Sequence, residues 1–575
     1  MQGILERAKR LVFKAKLKII QKILTPKTGF LSVPKLVRST SARHSVVSFI
    51  NKLQKYFFNG ILLSLAGILM NTISVGFNAY ISALIGAEGM GLFTLTGGVY
   101  SFAITFATSG INVAVVRLVS AALPYENDKR LSVKESRTVS GIMKRAFLYC
   151  LFFSTIATCV LFFLAKPIGI YALGDIRTVP SLKAMALSLI PISLSSAING
   201  YFSAVRRVYK NVVSRFLEQG IKIGAVYLLI LVLAPSGLEY ACFALAVGGT
   251  ISESFAVLLN LALYLLDKRI WSSKGDERGA FSVNNTKKSS VFSSAFPVGV
   301  SGYVRSALVM IEHLLIPWGL KKNGKSGSQA LSSYGILHGM VIPLVLFPAS
   351  ILGSFSSLLV PEIASLYEKK ELKRIRYIVE RVFYFTLLFA FGVSGVLIAY
   401  SKEIGICFYQ STEAGRYIML LAPLIPVMYL DSSVDAMLKG MGEQLYTMRI
   451  NIIDSLLSVA LIWLILPRLG ISGYIIVIFV TELFNTSFSI LRLINKLELK
   501  PPILRWVVKP LINIIISTGL SKLLFRFILD GIQLGKVLVV VEIVVASLIY
   551  IGLSFLTKAI SKNEIALAKK LIKHA

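Results

Sequence analysis

The chain is 575 residues long, 55% hydrophobic and only 16% charged, with a mean hydropathy of +0.73. A soluble chain carries nearer a quarter charged residues, so this length is spent on membrane spans and not on a string of soluble domains. The net charge of +34 does not make it a nucleic-acid binder, because no soluble basic domain holds the excess; the charge lies in loops and tails beside apolar segments, where it sets topology and meets anionic lipid.

Residues 1–55 hold many Lys and Arg, with Glu6 as the only acid. Ile4, Leu5, Leu11, Val12, Ala15, Ile19, Ile20 and Ile23 recur at helical spacing until Pro26. The pattern fits an amphipathic helix on an anionic inner leaflet, and equally a solvated basic tail.

Fourteen apolar segments follow, at 57–85, 92–121, 144–165, 180–204, 212–234, 239–266, 291–318, 330–360, 378–400, 414–438, 447–467, 471–491, 505–526 and 536–557. Each is about long enough to cross a ~30 Å hydrocarbon core. Loops after odd-numbered spans are poor in Lys and Arg: GAEGMG at 86–91 and APSGLE at 234–239 carry none. Loops after even-numbered spans are basic, as at Lys129, Arg130, Lys134 and Arg137, or Lys369, Lys370, Lys373, Arg374 and Arg376. The positive-inside rule then places both termini and the even loops in the cytoplasm. The four cysteines, Cys150, Cys159, Cys242 and Cys407, form neither a disulfide framework nor a metal-ligand spacing.

The segments repeat. GLFTLTGGVYSFAITFATSGINVAVVRLVS (91–120) aligns with SYGILHGMVIPLVLFPASILGSFSSLLVPE (333–362). SRFLEQGIKIGAVYLLI (214–230) aligns with INIIDSLLSVALIWLIL (450–466), which sets Glu218 opposite Asp454. SESF (252–255) aligns with TELF (481–484), which sets Glu253 opposite Glu482. Six spans is an even number, so both halves start on the same side and the repeat is parallel, with an axis along the membrane normal. The expected fold is therefore an all-α integral membrane protein of fourteen transmembrane helices: two six-helix lobes related by a parallel repeat, plus a C-terminal helix pair. The divisions fall at 1–55 (basic cytoplasmic segment), 56–266 (first lobe), 267–290 (cytoplasmic linker), 291–494 (second lobe), 495–557 (appended spans) and 558–575 (basic tail).

The runs GAEGMGLFTL (86–95), SGINVAVVRLVSA (109–121), NGYFSAVRRVYKNVVSRFLEQGIKI (199–223) and LHGMVIPLVLFPASILGSFSSLLVPEIA (337–364) resemble the multidrug/oligosaccharidyl-lipid/polysaccharide exporter superfamily. Within it the chain is most similar to the stage V sporulation protein B group of polysaccharide-lipid flippases. Asn112 stands where that family usually has Pro, Asn199 where it has Arg, and Ser203 with Ala204 where it has Gln-Gly. The resemblance implies transport of a lipid-linked saccharide across the cell membrane. It also implies a sodium site formed by the seventh, eleventh and twelfth spans, for which Glu312, Asn451, Asp454, Ser455 and Thr481 could supply oxygen; the same residues fit proton coupling or plain interhelix bonds.

Ionisable residues within spans are costly and each is a candidate site. Arg305 lies some fourteen residues into the seventh span, ~21 Å at helical rise, where snorkelling is difficult. Its planar, permanently charged fork suits a pyrophosphate; alternatively it pairs with Glu312, two turns on, and locks lobes together. Arg117 either snorkels or faces the cavity. Glu218 can pair with Lys222, and Asp435 with Lys439, at helical spacing. Lys183 can snorkel.

No Walker A loop, nucleophile elbow, zinc spacing or dinucleotide turn is present in the sequence, so a transporter is expected and not an enzyme. The expected substrate site is Arg305, Arg117, Glu253 and Asn112; the expected ion-coupling set is Glu312, Asp454, Asn451, Glu482 and Thr481. No cofactor is expected beyond a coupling sodium ion or proton. The expected partners are a polyprenyl-pyrophosphate-linked saccharide and anionic membrane lipids, with no nucleic acid and a monomeric state. The alternatives are a multidrug/cation antiporter of the same superfamily and a non-transporting scaffold for envelope assembly.

Overall fold

The structure is a computed structural model. It describes residues 40–122, 133–205, 207–272, 291–499, 502, 504–528, 536–557 and 559. The chain separates into Met1–Asn59 and Gly60–Ala575, and all that follows concerns the second unit. The amphipathic helix expected at 4–23 lies outside the described residues, as do most of the 267–290 linker and nearly all of the 558–575 tail.

Every regular element among the described residues is helical. In the first half these are α1 (Thr40–Thr108), α2 (Ile111–Ala122), α3 (Val133–Phe163), α4 (Val179–Ala204), α5 (Val208–Leu233) and α6 (Leu238–Ser272). The second half holds α7 (Val291–Lys322), α8 (Gly327–Tyr334), a π-helical turn at Gly335–Val341, α9 (Ile342–Leu346), α10 (Ala349–Glu368), α11 (Leu372–Ala399), α12 (Ser401–Tyr409), α13 (Thr412–Leu421), α14 (Ile425–Gly440) and α15 (Gln444–Leu497). Last come α16 (Lys509–Ile528) and α17 (Lys536–Leu556).

Eleven stretches among the described residues are long and apolar enough to cross a membrane, against the fourteen expected. Two of them, Gly67–Ala122 and Gln444–Leu497, run 56 and 54 residues, roughly 80 Å at helical rise and over twice the hydrocarbon thickness. Each is two helices joined across a glycine of positive φ, Gly86 at 70° and Gly470 at 58°, a conformation that favours a residue without Cβ. Helix α7, which carries Arg305 and Glu312, is 32 residues long and is not among the eleven.

Two expected spans are not continuous. The second, 92–121, breaks at Ser109 (φ 41°) and Gly110 (φ 70°) before α2 begins. The eighth, 330–360, is divided by the π turn and again at Phe347–Pro348, and its last helix runs on to Glu368. Pro343 and Pro348 lack the N–H that would carry the helix through.

One apolar core draws residues from both halves, Leu92, Leu95, Leu189, Tyr334, Leu337, Tyr429 and Tyr474 among them. A second core packs α2, α3 and α4 around Val115, Met143 and Phe202. A third packs α10, α11 and α14 around Ile363, Val379 and Val434. The two halves touch most closely at Gly91 and Gly335: a Cβ on Gly91 would overlap the Leu331 carbonyl, and one on Gly335 would overlap the backbone at Ala87 and Gly91. Helices α16 and α17 dock on α11, where Tyr550 Oη donates to the Leu388 carbonyl at 2.8 Å and Gly395 admits Ile514.

A salt-bridged clamp occurs once in each half with its charges exchanged. In the first, Arg207 and Lys210, at the start of α5, both bond the fully buried Asp267 near the end of α6. In the second, Glu443, just before α15, bonds Arg492 (3.0 Å) and Lys496 near the end of the same element. Extending the repeat in the register that pairs Glu218 with Asp454 and Glu253 with Glu482 sets Arg207 opposite Glu443 and Asp267 opposite Lys496. The pairing is kept while the sign of each partner is reversed, as expected where attraction between the two helix ends matters and its direction does not.

The Lys496 and Arg492 donors hold the Glu443 carboxyl below the ordinary range near 4.5. A depressed folded-state value means that this clamp stabilises the fold above the unfolded value and is lost as pH falls through the folded one. Asp267→Asn should cost roughly 3–5 kcal/mol by leaving two cations facing a neutral amide. Glu443→Gln should cost about 1 kcal/mol or less, since Arg492 is 42% exposed. Thermal melting in detergent checks both, and the difference between wild type and Glu443→Gln should shrink as pH falls below the ordinary carboxylate value of 4.5 and on through the lowered folded one.

Candidate functional site

Helix α7 carries the two residues singled out by their depth. Arg305 is exposed and forms no ion pair with Glu312 or with any other described residue, so the expected lock between them is not formed. Its charge instead acts at longer range on Asp431 of α14 and Asp454 of α15. Tyr303, one half-turn before it, hydrogen bonds Ser109 at the break in the second span, and Ser109 also bonds Tyr149 Oη at 2.7 Å. Tyr303 thus ties α7 to the first half, and Arg305, half a turn round the helix, faces the acids of the second.

Glu312, seven residues and about two turns further along α7, lies on the same face and reaches α15, where it accepts from Tyr474 Oη at 3.3 Å. With Asp454, Glu482, Thr481, Ser455, Ser458, His338 and Tyr474 it lines a cavity of about 220 Å³. Four of the five expected ion-coupling residues are therefore gathered around one space. The Oδ1 atom of Asp454 is buried without a hydrogen-bond partner among the described residues, an uncommon state for a buried acceptor. The fifth, Asn451, lies apart: it accepts from Asn485 Nδ2 at 3.2 Å, and the same amide reaches Asp431 at 3.5 Å. Among the described residues no three His, Cys, Asp or Glu side chains converge as metal ligands, so a cation in this cavity would also draw on hydroxyl oxygens such as Ser455, Ser458 and Thr481.

In the first half, Glu253 on α6 lies within hydrogen-bonding reach of Glu218 on α5. The expected Glu218–Lys222 pair is not formed; Lys222 and Arg215 act on Glu218 only through their fields. By the register of the repeat, Glu218 and Glu253 are the first-half counterparts of Asp454 and Glu482. Asn112 donates its amide to the Ser196 carbonyl at 3.1 Å, which engages it in packing α2 on α4 and away from Arg305. Arg117 is exposed on α2. Asp435 and Lys439 pair at 3.3 Å as the spacing predicts, and Lys183 lies over the Phe162 ring.

Sequence reasoning missed two features. His338 and Tyr474 complete the cavity wall, with a 2.7 Å hydrogen bond between them; the usable signal was a histidine inside an apolar run. Glu88, in the 86–91 turn, accepts from Arg177 at 2.8 Å and from Ser328 of α8 at 2.6 Å, joining the two halves at that end.

The profile of the polysaccharide biosynthesis protein family matches residues 58–367, and the MatE profile matches 323–464. Stage V sporulation protein B of Bacillus subtilis (strain 168) is 26% identical over 428 residues, covering 73% of this chain and 80% of its own length. Among solved structures, the lipid II flippase MurJ in an inward closed conformation superposes with a TM-score of 0.62 at 12% identity, over 87% of this chain and 98% of that one. An inward-facing multidrug resistance MATE family transporter of the MOP superfamily gives 0.57 at 12% identity, over 76% and 99%. The chain is a multi-pass membrane protein with the fold of these transporters, and it belongs to the polysaccharide biosynthesis protein family.

Proposed function

We propose that the chain is a flippase that moves a polyprenyl-pyrophosphate-linked saccharide across the cell membrane by alternating access, with cation coupling at the Glu312 cavity. The observation that carries the reading is Arg305: an exposed guanidinium fourteen residues into the α7 segment that forms no ion pair among the described residues. Such a charge is retained at high cost, and a diphosphate is a ligand whose geometry and charge repay that cost. Two lobes rocking about a central path carry the polar headgroup while the polyprenyl tail stays in the bilayer. The basic loops, among them Lys370, Lys373 and Arg374, meet anionic headgroups on the cytoplasmic side, and a single chain suffices for the path. An antiporter for bulky organic cations is the weaker reading, because the acidic cavity of about 220 Å³ is smaller than the roughly 300–1,000 Å³ that drug-sized ligands occupy.

Reconstitution with a fluorescent polyprenyl-pyrophosphate disaccharide tests the substrate. Wild type should flip it, Arg305→Ala should lose at least about tenfold of the rate with its melting temperature unchanged, and Arg305→Lys should recover little because the planar fork is gone. Normal flipping by Arg305→Ala removes the residue from the substrate path, and no flipping by wild type leaves the scaffold alternative.

Orientation is tested separately in intact cells. Cysteines placed in 123–140 and 270–288 should resist an impermeant thiol reagent, and one placed in 322–328 should react; the reverse pattern would invert the topology.

A further inference from the structure

The acidic cavity is connected to the contact between the two halves by a short string of side chains. Tyr474 Oη donates to Glu312 Oε1 at 3.3 Å and shares a 2.7 Å hydrogen bond with His338 Nε2. The His338 ring stacks on Tyr334 with centroids 4.9 Å apart and stands edge-on to His313 at 5.0 Å. His313 Nδ1 in turn bonds the Tyr334 hydroxyl at 2.7 Å. Residues 312–313 of α7, Tyr474 of α15 and the segment 334–338 are thereby tied together around the fully buried rings of Tyr334 and Tyr474.

His338 lies within the π turn Gly335–Val341. The two glycines of that turn touch the first half: Gly335 abuts Ala87 and Gly91, and Gly339 lies against Met90 and Thr94. A π turn bonds i to i+5 and holds one residue more per turn than an α-helix, a rare form that occurs mostly as single turns at functional sites. One stretch of seven residues therefore has its flank at the interface and its middle bonded, through Tyr474, to Glu312.

We infer that Tyr474 and His338 are positioning residues that transmit the state of the Glu312 cavity to the contact of the π turn with residues 87–91. The inference rests on the proposed role of that cavity as the coupling site. The Tyr474 hydroxyl has one proton to give. When Glu312 is a bare carboxylate it takes that proton's hydrogen bond, and the phenol oxygen accepts from His338 Nε2–H. When a cation or proton satisfies Glu312, the hydroxyl is released to donate to an unprotonated Nε2, which requires the other imidazole tautomer and changes the pull on the π turn. The device is a two-state hydrogen-bond orientation acting on a two-state turn, which is what transmission between sites physically requires.

The test uses the full chain in liposomes, with the two native cysteines that are not buried, Cys159 and Cys407, changed to Ser and a reporter at Met90→Cys. Met90 is only 2% exposed, so its maleimide labelling rate reads the opening of this contact. Six proteins are compared: the reporter alone, with Glu312→Gln, with Tyr474→Phe, with both, with His338→Gln, and with His338→Gln and Glu312→Gln together. Transmission predicts that Glu312→Gln changes the rate at least about fivefold, that the same change is absent when Tyr474→Phe is present, and that His338→Gln, which keeps a donor, retains part of it. Multiplicative effects of Glu312→Gln and Tyr474→Phe, or no effect of Glu312→Gln, overturn the inference. Glu312→Asp replaces Glu312→Gln if the latter does not fold. Melting of the wild type with and without sodium, and across pH, is read independently: no stabilisation by either cation sinks the coupling reading, while the labelling cycle still decides whether the cavity and the contact communicate.

Discussion

Hydrocarbon offers no hydrogen-bond partner, so each polar group carried into the membrane must be satisfied by the protein or by water held within it. That constraint sorts the ionisable side chains of this chain into three kinds. Some are neutralised outright at helix ends, as Asp267 is by Arg207 and Lys210. Others are gathered into small buried groups, as Glu218 with Glu253, and Glu312 with Asp454 and Glu482. Arg305 belongs to neither kind, being exposed and unpaired.

The same constraint shapes the duplicated halves. Acids recur at equivalent places on α5 and α6 and on the two limbs of α15, and the end clamps recur with exchanged signs. A clamp can reverse its polarity because only the attraction between the helix ends enters the energy. The interior acids differ between halves in their surroundings. Glu218 and Glu253 have Lys222 and Arg215 nearby, whereas Asp454 and Glu482 face another acid, Asp431, and a cavity. The equivalent positions therefore lie beside two cations in one half, and beside a cavity, a further acid and the field of Arg305 in the other.

The all-helical, apolar character of the chain and its transporter fold were legible because hydropathy depends on chain composition alone. What was not legible depends on three-dimensional neighbours. The Glu218–Lys222 spacing suits an ion pair on an isolated helix, but α6 brings Glu253 to the same place and Glu218 meets it instead. Asn112 read as a substrate residue because the family has Pro there; in the fold its amide reaches the Ser196 carbonyl on α4. The break at Ser109–Gly110 lies inside a continuous apolar run, so hydropathy passes over it, although the glycine was a possible sign. His338 escaped because Tyr474, which gives it a role, is 136 residues away in the chain.

The placement of Arg305 has a consequence for coupling in the proposed cycle. Its guanidinium acts on Asp431 and Asp454 without bonding either, so it lowers the demand of those acids for another cation. A diphosphate bound to Arg305 would cancel that field. Asp454, whose Oδ1 already lacks a partner, would then hold a sodium ion or a proton more tightly. By linkage the same factor applies in reverse, so a cation in the cavity would strengthen diphosphate binding at Arg305. Co-binding of an anionic headgroup and a cation then needs no direct contact between them. It needs only a fixed positive charge whose field reaches the acids, as that of Arg305 reaches Asp431 and Asp454.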